Sequence, residues 1–294
     1  MRASAPSSRS SSMSAKPSPA DPVPPAVALP APVADVAVTR WRGGRREALI
    51  DRVAEETPVA VQVNGEPHAV MLMSPCDLED FALGFAFTEG LIERPQDLLL
   101  VETRALDDGV ELDLCLPLRA PRRADAPVRS LPGRAGCGIC GKTMIEDALR
   151  VPPPVPQGAT IGRAAIARAA QALNARQPLN RETGGVHAAA WVGLDGAIVA
   201  VREDIGRHNA LDKLIGARLR GHFPPGFVLL TCRASYEVVM KAAVAGIGLL
   251  AAFSAPTARA VRLAEHCQVT LAAFVRGADL VLYAHPSTLV DDIA

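Results

Sequence analysis

The sequence predicts an α/β protein: a mixed sheet with helices on both faces, preceded by a smaller α+β domain. Two observations carry this prediction. Apolar runs separated by short turn signals fill residues 58–116, and from residue 187 a hairpin is followed by three alternations of a helix with an apolar strand. Helices that alternate with strands cross over a sheet and cover it, so this order indicates three layers.

Composition limits the class of protein. The chain has 294 residues, 49% of them hydrophobic and 21% charged, with a formal net charge of +0. These values describe an ordinary globular protein and give no argument for nucleic acid or an anionic membrane as partner. The six cysteines show no disulfide framework, and we expect a reducing, cytoplasmic compartment. Four of them adjoin apolar stretches and are interpreted as small buried residues: Cys76, Cys115, Cys232 and Cys267.

The first segment, residues 1–35, is rich in Ser, Pro and Ala and almost lacks large apolar residues. It cannot bury enough surface to offset the entropy of ordering, so we expect a disordered extension. Prolines interrupt every candidate apolar run, which argues against a secretory signal. The most apolar stretch, residues 242–255, is too short to span a bilayer.

Residues 36–118 are predicted to form the small α+β domain. Apolar runs at 58–63 and 67–73 flank Asn64-Gly65, a strong hairpin signal. Ser74-Pro75 then suggests the N-cap and first residue of a helix that ends at Gly90. Runs at 98–103 and 110–116 suggest a second hairpin.

A basic linker, residues 119–158, holds five arginines against one acid before its cysteine motif. The linker is either a solvated loop of an arginine-rich chain or a docking surface for an acidic partner or anionic cofactor. Within it lies Arg134-Ala-Gly-Cys-Gly-Ile-Cys-Gly-Lys142, in which Cys137 and Cys140 form a C-x-x-C framed by glycines. Glycines let the backbone bend, and the flanking Arg134 and Lys142 favour thiolates.

Three chemistries fit such a pair: a structural zinc site, a redox pair and a persulfide carrier. Zinc needs about four ligands, and no second C-x-x-C or histidine pair is present. A thioredoxin-type pair lies at a helix N-terminus after a strand, whereas this one lies between Pro-rich spacers. The pattern therefore favours thiols on a mobile, exposed loop and no structural metal.

Residues 159–294 are predicted to form the large α/β domain. The sequence indicates a helix at 160–177, strands at 187–192 and 197–202, and a last strand at 277–283. The three helix–strand alternations between them are 209–219 with 227–231, 236–245 with 249–253, and 257–266 with 269–275.

Polar residues follow the strands of this domain, in the segments 203–209, 232–235, 254–257 and 276–279. Ligands of α/β sheets favour the carboxyl ends of strands, where we expect these segments to meet. His208 is either a structural histidine or part of a site. Arg233 and Ser235 precede a helix whose N-terminus suits a phosphate, and Thr257 precedes another such helix. The alternative is that these hydroxyl residues only cap their helices.

Several motifs together resemble one known family, the formate dehydrogenase accessory sulfurtransferases of the FdhD/NarQ type, from about residue 36 onward. The motifs are Cys137-Gly-Ile-Cys140-Gly, Thr183-Gly-Gly-Val-His187, Glu203-Asp-Ile-Gly-Arg-His-Asn-Ala-Leu-Asp-Lys213, Arg233-Ala-Ser-Tyr-Glu237 and Ser254-Ala-Pro-Thr257. A glycine-framed C-x-x-C and Asp-Ile-Gly-Arg-His-Asn in one chain are far more specific than either motif alone.

The resemblance implies a cytidine-deaminase-like α/β fold, a homodimer and a cytoplasmic sulfurtransferase. Sulfur would pass from a cysteine desulfurase to the molybdenum bis-guanine-dinucleotide cofactor before that cofactor enters formate dehydrogenase. Cys137 would carry the persulfide, with Cys140 as its partner. The family's cofactor-binding segment falls on Phe274, Val275, Arg276, Gly277, Ala278 and Asp279. His208, Arg233 and Ser235 are the further residues expected to contact the cofactor.

Alternatives to sulfur transfer remain open at this level. The chain would also suit a chaperone that binds the molybdenum cofactor and escorts it to formate dehydrogenase, its cysteines only clamping the metal. A third interpretation is a zinc-stabilised or redox-switched nucleotide binder. Deaminase chemistry is not expected, because Ala189 stands where the His-x-Glu signature has its acid and Gly136 replaces the proline before C-x-x-C. Cys232 would be a third reactive thiol if it lined the pocket.

Overall fold

A four-stranded sheet with one apolar core and a six-stranded sheet with a core on each face organise the chain. The structure is a computed structural model that describes residues 28–117, 149–156 and 158–291. The predicted Cys137–Cys140 loop lies outside the described residues, as do most of the basic linker and of the N-terminal extension.

The four-stranded sheet and one long helix form the predicted small domain. Its strands and helix are β3 (Thr57–Val63), β4 (Glu66–Met73), α1 (Leu78–Glu89), β5 (Leu100–Leu106) and β6 (Gly109–Cys115). The order is β4-β3-β6-β5, with β3 and β6 parallel at the centre. Both predicted hairpins are present, and the first turns at Asn64 and Gly65 with φ of 53° and 79°. Both residues are therefore left-handed, which the hairpin turn requires.

The start of α1 differs from the prediction. The helix begins at Leu78 after Asp77, which has a φ of 52°, and Ser74-Pro75 does not cap it. Ser74 is instead bound by the second domain: its N–H donates to Asp204 Oδ2 over 3.1 Å, and its carbonyl accepts from Lys213 Nζ over 2.9 Å. These distant partners displace the helix start by several residues. The predicted end at Gly90 is confirmed by its φ of 78°.

A ribbon that the sequence did not predict precedes this sheet. It consists of β1 (Val33–Arg42) and β2 (Arg45–Ala54), paired over ten residues. Both of its faces are solvent-exposed, including Trp41 at 69% and Ile50 at 62%. A strand without a buried face lacks the alternation of polar and apolar residues that identifies strands in a sequence.

The large domain contains the predicted mixed sheet. Its elements are β7 (Ile161–Gly162), α2 (Arg163–Leu173), α3 (Pro178–Thr183), β8 (His187–Gly193), β9 (Ile198–Asp204), α4 (Arg207–Arg220), β10 (Gly226–Leu230), α5 (Tyr236–Val244), β11 (Leu249–Ala252), α6 (Ala258–His266), β12 (Thr270–Arg276), β13 (Asp279–Ala284) and β14 (Leu289–Val290). Six strands form the sheet in the order β9-β8-β10-β11-β12-β13, and β7 pairs with β14 apart from it. Strands β9, β10, β11 and β12 run in one direction, and β8 runs antiparallel to its neighbours β9 and β10.

Helices cover both faces of this sheet. Along β8, Ala189 and Trp191 join a core that includes α4, α5 and α6, whereas Ala190 and Val192 join a second core that includes α2. Alternate side chains of a strand point to opposite faces, so the sheet is the middle of three layers. The predicted three-layer arrangement is confirmed. The likeness to cytidine deaminases remains a prediction from the resemblance.

Helix α1, beside the four-stranded sheet, and helix α4, beside the six-stranded sheet, pack closely against each other. A Cβ added at Gly84 of α1 would lie 1.8 Å from the Asp212 carbonyl oxygen, and one at Gly216 of α4 would lie 1.8 Å from that of Asp80. Only glycine permits this approach. Lys241 Nζ lies in the same interface, 2.8 Å from Asp212 Oδ2 and close to α1. No described helix combines the length and the apolar character needed to cross a membrane.

Candidate functional site

Four polar segments meet at the carboxyl edge of the six-stranded sheet, as predicted. We use "carboxyl edge" for residues 204–209, 231–235, 253–257 and 274–279, which lie at the ends of β9, β10, β11 and β12 or directly after them. The helices α4, α5 and α6 begin there. Unpaired backbone N–H groups at helix N-termini favour anions, so this edge suits phosphate groups. Thr257 accepts a bond from Ala260 N over 3.3 Å and thus caps α6, whereas the Ser235 side chain makes no capping bond to α5.

His208 and Ser235 are brought together between α4 and α5. His208 Nε2 lies 3.3 Å from Glu237 Oε2 and 3.5 Å from Ser235 Oγ. The side chains of His208 and Glu237 are 9% and 7% exposed. This cluster combines a carboxylate, an imidazole and a hydroxyl, groups that can hold or move a proton. Nearby, burial and the Arg207 charge lower the pKa of His187, and Asp204 opposes them.

Asp204 holds in place the turn that precedes this cluster. One oxygen accepts from Gly206 N over 2.7 Å and from Asn209 Nδ2 over 3.1 Å, and the other pairs with Lys213 Nζ over 2.7 Å. Asp204 and Lys213 are fully buried, so they cannot contact a ligand. Burial raises the pKa of Asp204, and the Lys213 charge opposes the rise. Both residues therefore fix the turn that presents Arg207 and His208.

The β12–β13 hairpin carries the segment predicted to bind cofactor. Phe274 is 42% exposed with a φ of 53°, and the side chains of Arg276 to Asp279 are also exposed. Arg276 Nη1 donates to the carbonyls of Phe253 and Val275 over 2.5 and 2.8 Å. The Val275 side chain is buried, so that residue offers a ligand only its backbone. A bulky residue with positive φ is strained, and Phe274 adopts this conformation at an irregularity in the pairing of β12 with β13.

Two open cavities flank this hairpin. One of about 450 Å³ lies on the α2 side and is lined by Thr231, Ser254 and Arg276. The other, of about 550 Å³, lies on the α6 side and is lined by Thr257, Arg262 and Phe274. Each thus contains an arginine and a hydroxyl group, a combination that suits phosphate oxygens.

The predicted ligand contacts are spread along the edge. His208 follows β9, Arg233 and Ser235 follow β10, and the hairpin follows β12. Four strand spacings separate β9 from β12, a span of about 19 Å. The structure therefore places His208 beside Ser235 but leaves the hairpin apart from both. Arg233 is exposed between them.

The thiols differ in accessibility. The predicted catalytic pair Cys137 and Cys140 lies outside the described residues. Cys232 is 3% exposed and belongs to the core on the α4–α6 side. Burial raises its pKa to about 11, although Arg207 and Arg233 oppose the rise. Cys232 lines neither of the two cavities described above, so the condition under which it would be a third reactive thiol is not met there.

Sequence reasoning missed one member of the cluster, Glu237. It is in one of the motifs that carry the family resemblance and lies two residues after Ser235. The signal was therefore present, but only the packing of α5 against α4 shows that Glu237 reaches His208.

Comparison with known proteins gives one consistent result. The model of the FdhD/NarQ family matches residues 54–290. A sulfur carrier protein FdhD of Xanthomonas campestris pv. campestris (strain B100) is 51% identical over 254 residues, covering 86% of this chain and 90% of the relative. The proteins of the same name from Cupriavidus necator and Bordetella petrii are 49% and 47% identical, covering 86% and 87% of this chain and 88% and 94% of their own.

A crystal structure from Desulfotalea psychrophila, named as that of a formate dehydrogenase accessory protein, has a similar fold. The TM-score is 0.68 at 22% identity, and the match covers 88% of this chain and 99% of the other.

Proposed function

Because the chain belongs to the FdhD/NarQ family, we propose that it is a sulfur carrier in the maturation of formate dehydrogenase. The observation that carries this proposal is about 50% identity, over most of both chains, to relatives named sulfur carrier protein FdhD. In its finer form, the protein is a sulfurtransferase that passes persulfide sulfur from a cysteine desulfurase to the molybdenum bis-guanine-dinucleotide cofactor. It acts in the cytoplasm as a homodimer.

Cys137 takes the sulfur in the loading step. Its thiolate attacks the terminal sulfur of the desulfurase persulfide, the S–S bond of the desulfurase breaks, and the desulfurase cysteine leaves as a thiolate. The product is a persulfide on Cys137. The neighbouring Arg134 and Lys142 favour both thiolate and persulfide because both are anions.

Cys140 supports release. Its thiolate attacks the inner sulfur of the Cys137 persulfide, so the S–S bond breaks and sulfide leaves toward the molybdenum. Electrons balance: the sulfane sulfur is reduced to sulfide, and Cys137 and Cys140 are oxidised to a disulfide. A cellular thiol reductant then restores both thiols for another cycle.

The carboxyl edge is the proposed binding surface for the cofactor that receives this sulfur. Its phosphates would meet the N-termini of α5 and α6 and the exposed side chains of Arg233 and Arg276. The span of about 19 Å between β9 and β12 suits a long ligand with several phosphates better than a mononucleotide.

Mass spectrometry of the protein incubated with a cysteine desulfurase and cysteine tests the proposal. A mass increase of one sulfur on the peptide containing Cys137, lost on reduction, is expected. The Cys115→Ala variant is the matched control, because Cys115 lies on β6, away from the carboxyl edge, and should not affect loading. Cofactor bound without any sulfur adduct would instead support the chaperone, and retained zinc would support a structural metal.

A further inference from the structure

A third cavity lies at the opposite end of the six-stranded sheet. This "amino-end cavity" has a volume of about 360 Å³, and Trp191, Arg218, Phe223, Pro224 and Gln268 are among its lining residues. It opens where β8 ends and where β10 and β11 begin. The sulfur-transfer chemistry proposed above makes no use of this end of the sheet.

Aromatic rings form one wall of the amino-end cavity. Trp191 is 3% exposed, and its indole N–H donates to the Pro224 carbonyl over 3.0 Å. A Cβ at Gly226 would lie 2.0 Å from the Val192 carbonyl oxygen and 3.1 Å from Trp191 Nε1, so only glycine fits beside the indole. The Phe223 ring centroid lies 6.4 Å from that of Trp191. The wall is therefore apolar and held in place.

Arg218 supplies the charge in this cavity. Its guanidinium carbon lies 4.6 Å from the centroid of the Trp191 ring, and Nη1 donates to the Ala245 carbonyl over 2.9 Å. No acidic side chain lines the cavity within the described part of the chain, and none there forms an ion pair with Arg218. Burial lowers the pKa of Arg218, and no carboxylate opposes it.

A neighbour on the same helix shows the contrast. Arg220, two residues further along α4, pairs with Glu79 over 2.6 Å and with Asp80 over 2.7 Å. Arg218 faces a cavity instead and has four further N–H donors besides the one bound to Ala245. A guanidinium in such surroundings matches a carboxylate in charge and in planar geometry.

We propose that the amino-end cavity binds a small carboxylate with an apolar body. The carboxylate pairs with the Arg218 guanidinium, and the body lies against Trp191 and Phe223. The volume is within the range of small-molecule sites, which are mostly apolar with a few placed polar groups. A free metabolite and the C-terminal carboxylate of a peptide share this chemistry.

The test uses the full chain with Trp41→Phe, which leaves Trp191 as its only tryptophan. The indole N–H signal of ¹⁵N-labelled protein is followed while benzoate is added. A saturable shift with a Kd of about 1 mM is expected, as is reasonable for so small a ligand. Benzamide has the same ring without the charge. It should bind at least about tenfold more weakly, because the loss of a charge-assisted hydrogen bond typically weakens binding by about that much.

Variants then locate the charge. Arg218→Gln should weaken benzoate at least about tenfold, and Arg218→Lys should weaken it less, since the charge stays but the planar fork is lost. Arg176→Gln removes an exposed arginine elsewhere and should change nothing. The urea unfolding midpoint of each unliganded variant shows whether it keeps its fold, because the Trp191 indole signal itself shifts when the guanidinium over the ring is removed.

Two further ligands distinguish the sources. Ala-Pro-Phe with a free C-terminus is compared with its C-terminal amide. Tighter binding of the free peptide than of benzoate assigns a protein C-terminus, and the reverse assigns a small metabolite; both support the carboxylate site. Equal binding of benzoate and benzamide, unchanged binding to Arg218→Gln, or no shift with any carboxylate at about 10 mM overturns the proposal.

Discussion

The two ends of the six-stranded sheet differ in which groups carry the positive charge. At the carboxyl edge, α4, α5 and α6 present their N-termini, which carry partial positive charge and favour anions without any side chain. At the amino end the same helices finish, and their terminal carbonyls carry partial negative charge. There a side chain supplies the positive charge: Arg218 donates to the Ala245 carbonyl at the end of α5.

The polar side chains of the two ends also differ in what they contact. At the carboxyl edge the buried ones pair with one another, as Asp204 does with Lys213 and His208 with Glu237. At the amino end one arginine faces a cavity without an acid beside it. A dense polar motif therefore contains many side chains that hold one another in place, whereas a single partly exposed arginine on an aromatic wall can remain available to a ligand. Four predictions test this contrast.

The largest expected effect is on the activation of formate dehydrogenase, which should depend on the thiol loop and not on the amino-end cavity. Cys137→Ala should abolish activation of formate dehydrogenase, because no thiol remains to carry sulfur, while Arg218→Gln should leave activation unchanged. Formate dehydrogenase activity in cells that carry only the variant measures both. Cys140→Ala should reduce activity less if it assists release.

Full activity with Cys137→Ala would contradict the persulfide role. Loss of activity with Arg218→Gln in a stably folded variant would show that the two ends are not independent.

The second prediction compares stability. Lys213→Met leaves Asp204 charged and unpaired in the interior and should lower the free energy of unfolding by about 3–5 kcal/mol. Arg218→Met removes a half-exposed stacking contact and should cost only about 0.5–1 kcal/mol. Urea unfolding measures both, with Arg104→Met as the control for an exposed ion pair. Similar losses of stability for Lys213→Met and Arg218→Met would contradict the conclusion that Lys213 has a structural role through its pair with Asp204.

The third prediction concerns nucleotides at the carboxyl edge. GDP should bind more tightly than ADP, because the proposed cofactor carries guanine, and Arg233→Ala or Arg276→Ala should weaken GDP about tenfold through loss of a phosphate contact. Isothermal calorimetry gives the affinities, with Arg218→Gln as the matched control at the other end. Equal affinities for GDP and ADP would count against recognition of the guanine.

The smallest effect is expected at Cys232. With a pKa of about 11, its thiolate is about a hundredfold scarcer near pH 8 than that of a free thiol, and burial restricts access further. Iodoacetamide should therefore leave the Cys232 peptide unmodified until the pH approaches 11, as mass spectrometry of digests would show. Cys232→Ala should keep full activation. Rapid labelling at neutral pH would restore Cys232 as a candidate thiol.

Local signals in the sequence were sufficient for most of the elements. Asn64-Gly65 sets the first hairpin because both turn residues need positive φ, and Gly90 ends α1 for the same reason. The three alternations of helix and strand led to the three-layer sheet and to the carboxyl edge, since parallel strands joined by helices must end on one side. These features depend on residues near one another in the chain.

The sequence by itself therefore determined most of the elements, the edge where the polar segments meet and the thiol motif. Only the tertiary structure decided which polar side chains hold other residues in place and which face solvent or a cavity. Ser74 appeared to be a helix cap until Asp204 and Lys213, about 130 residues away, took its backbone groups. Trp191 and Arg218 meet only because α4 packs back over β8. Burial and pairing arise from contacts between distant segments, and no local pattern of residues encodes them.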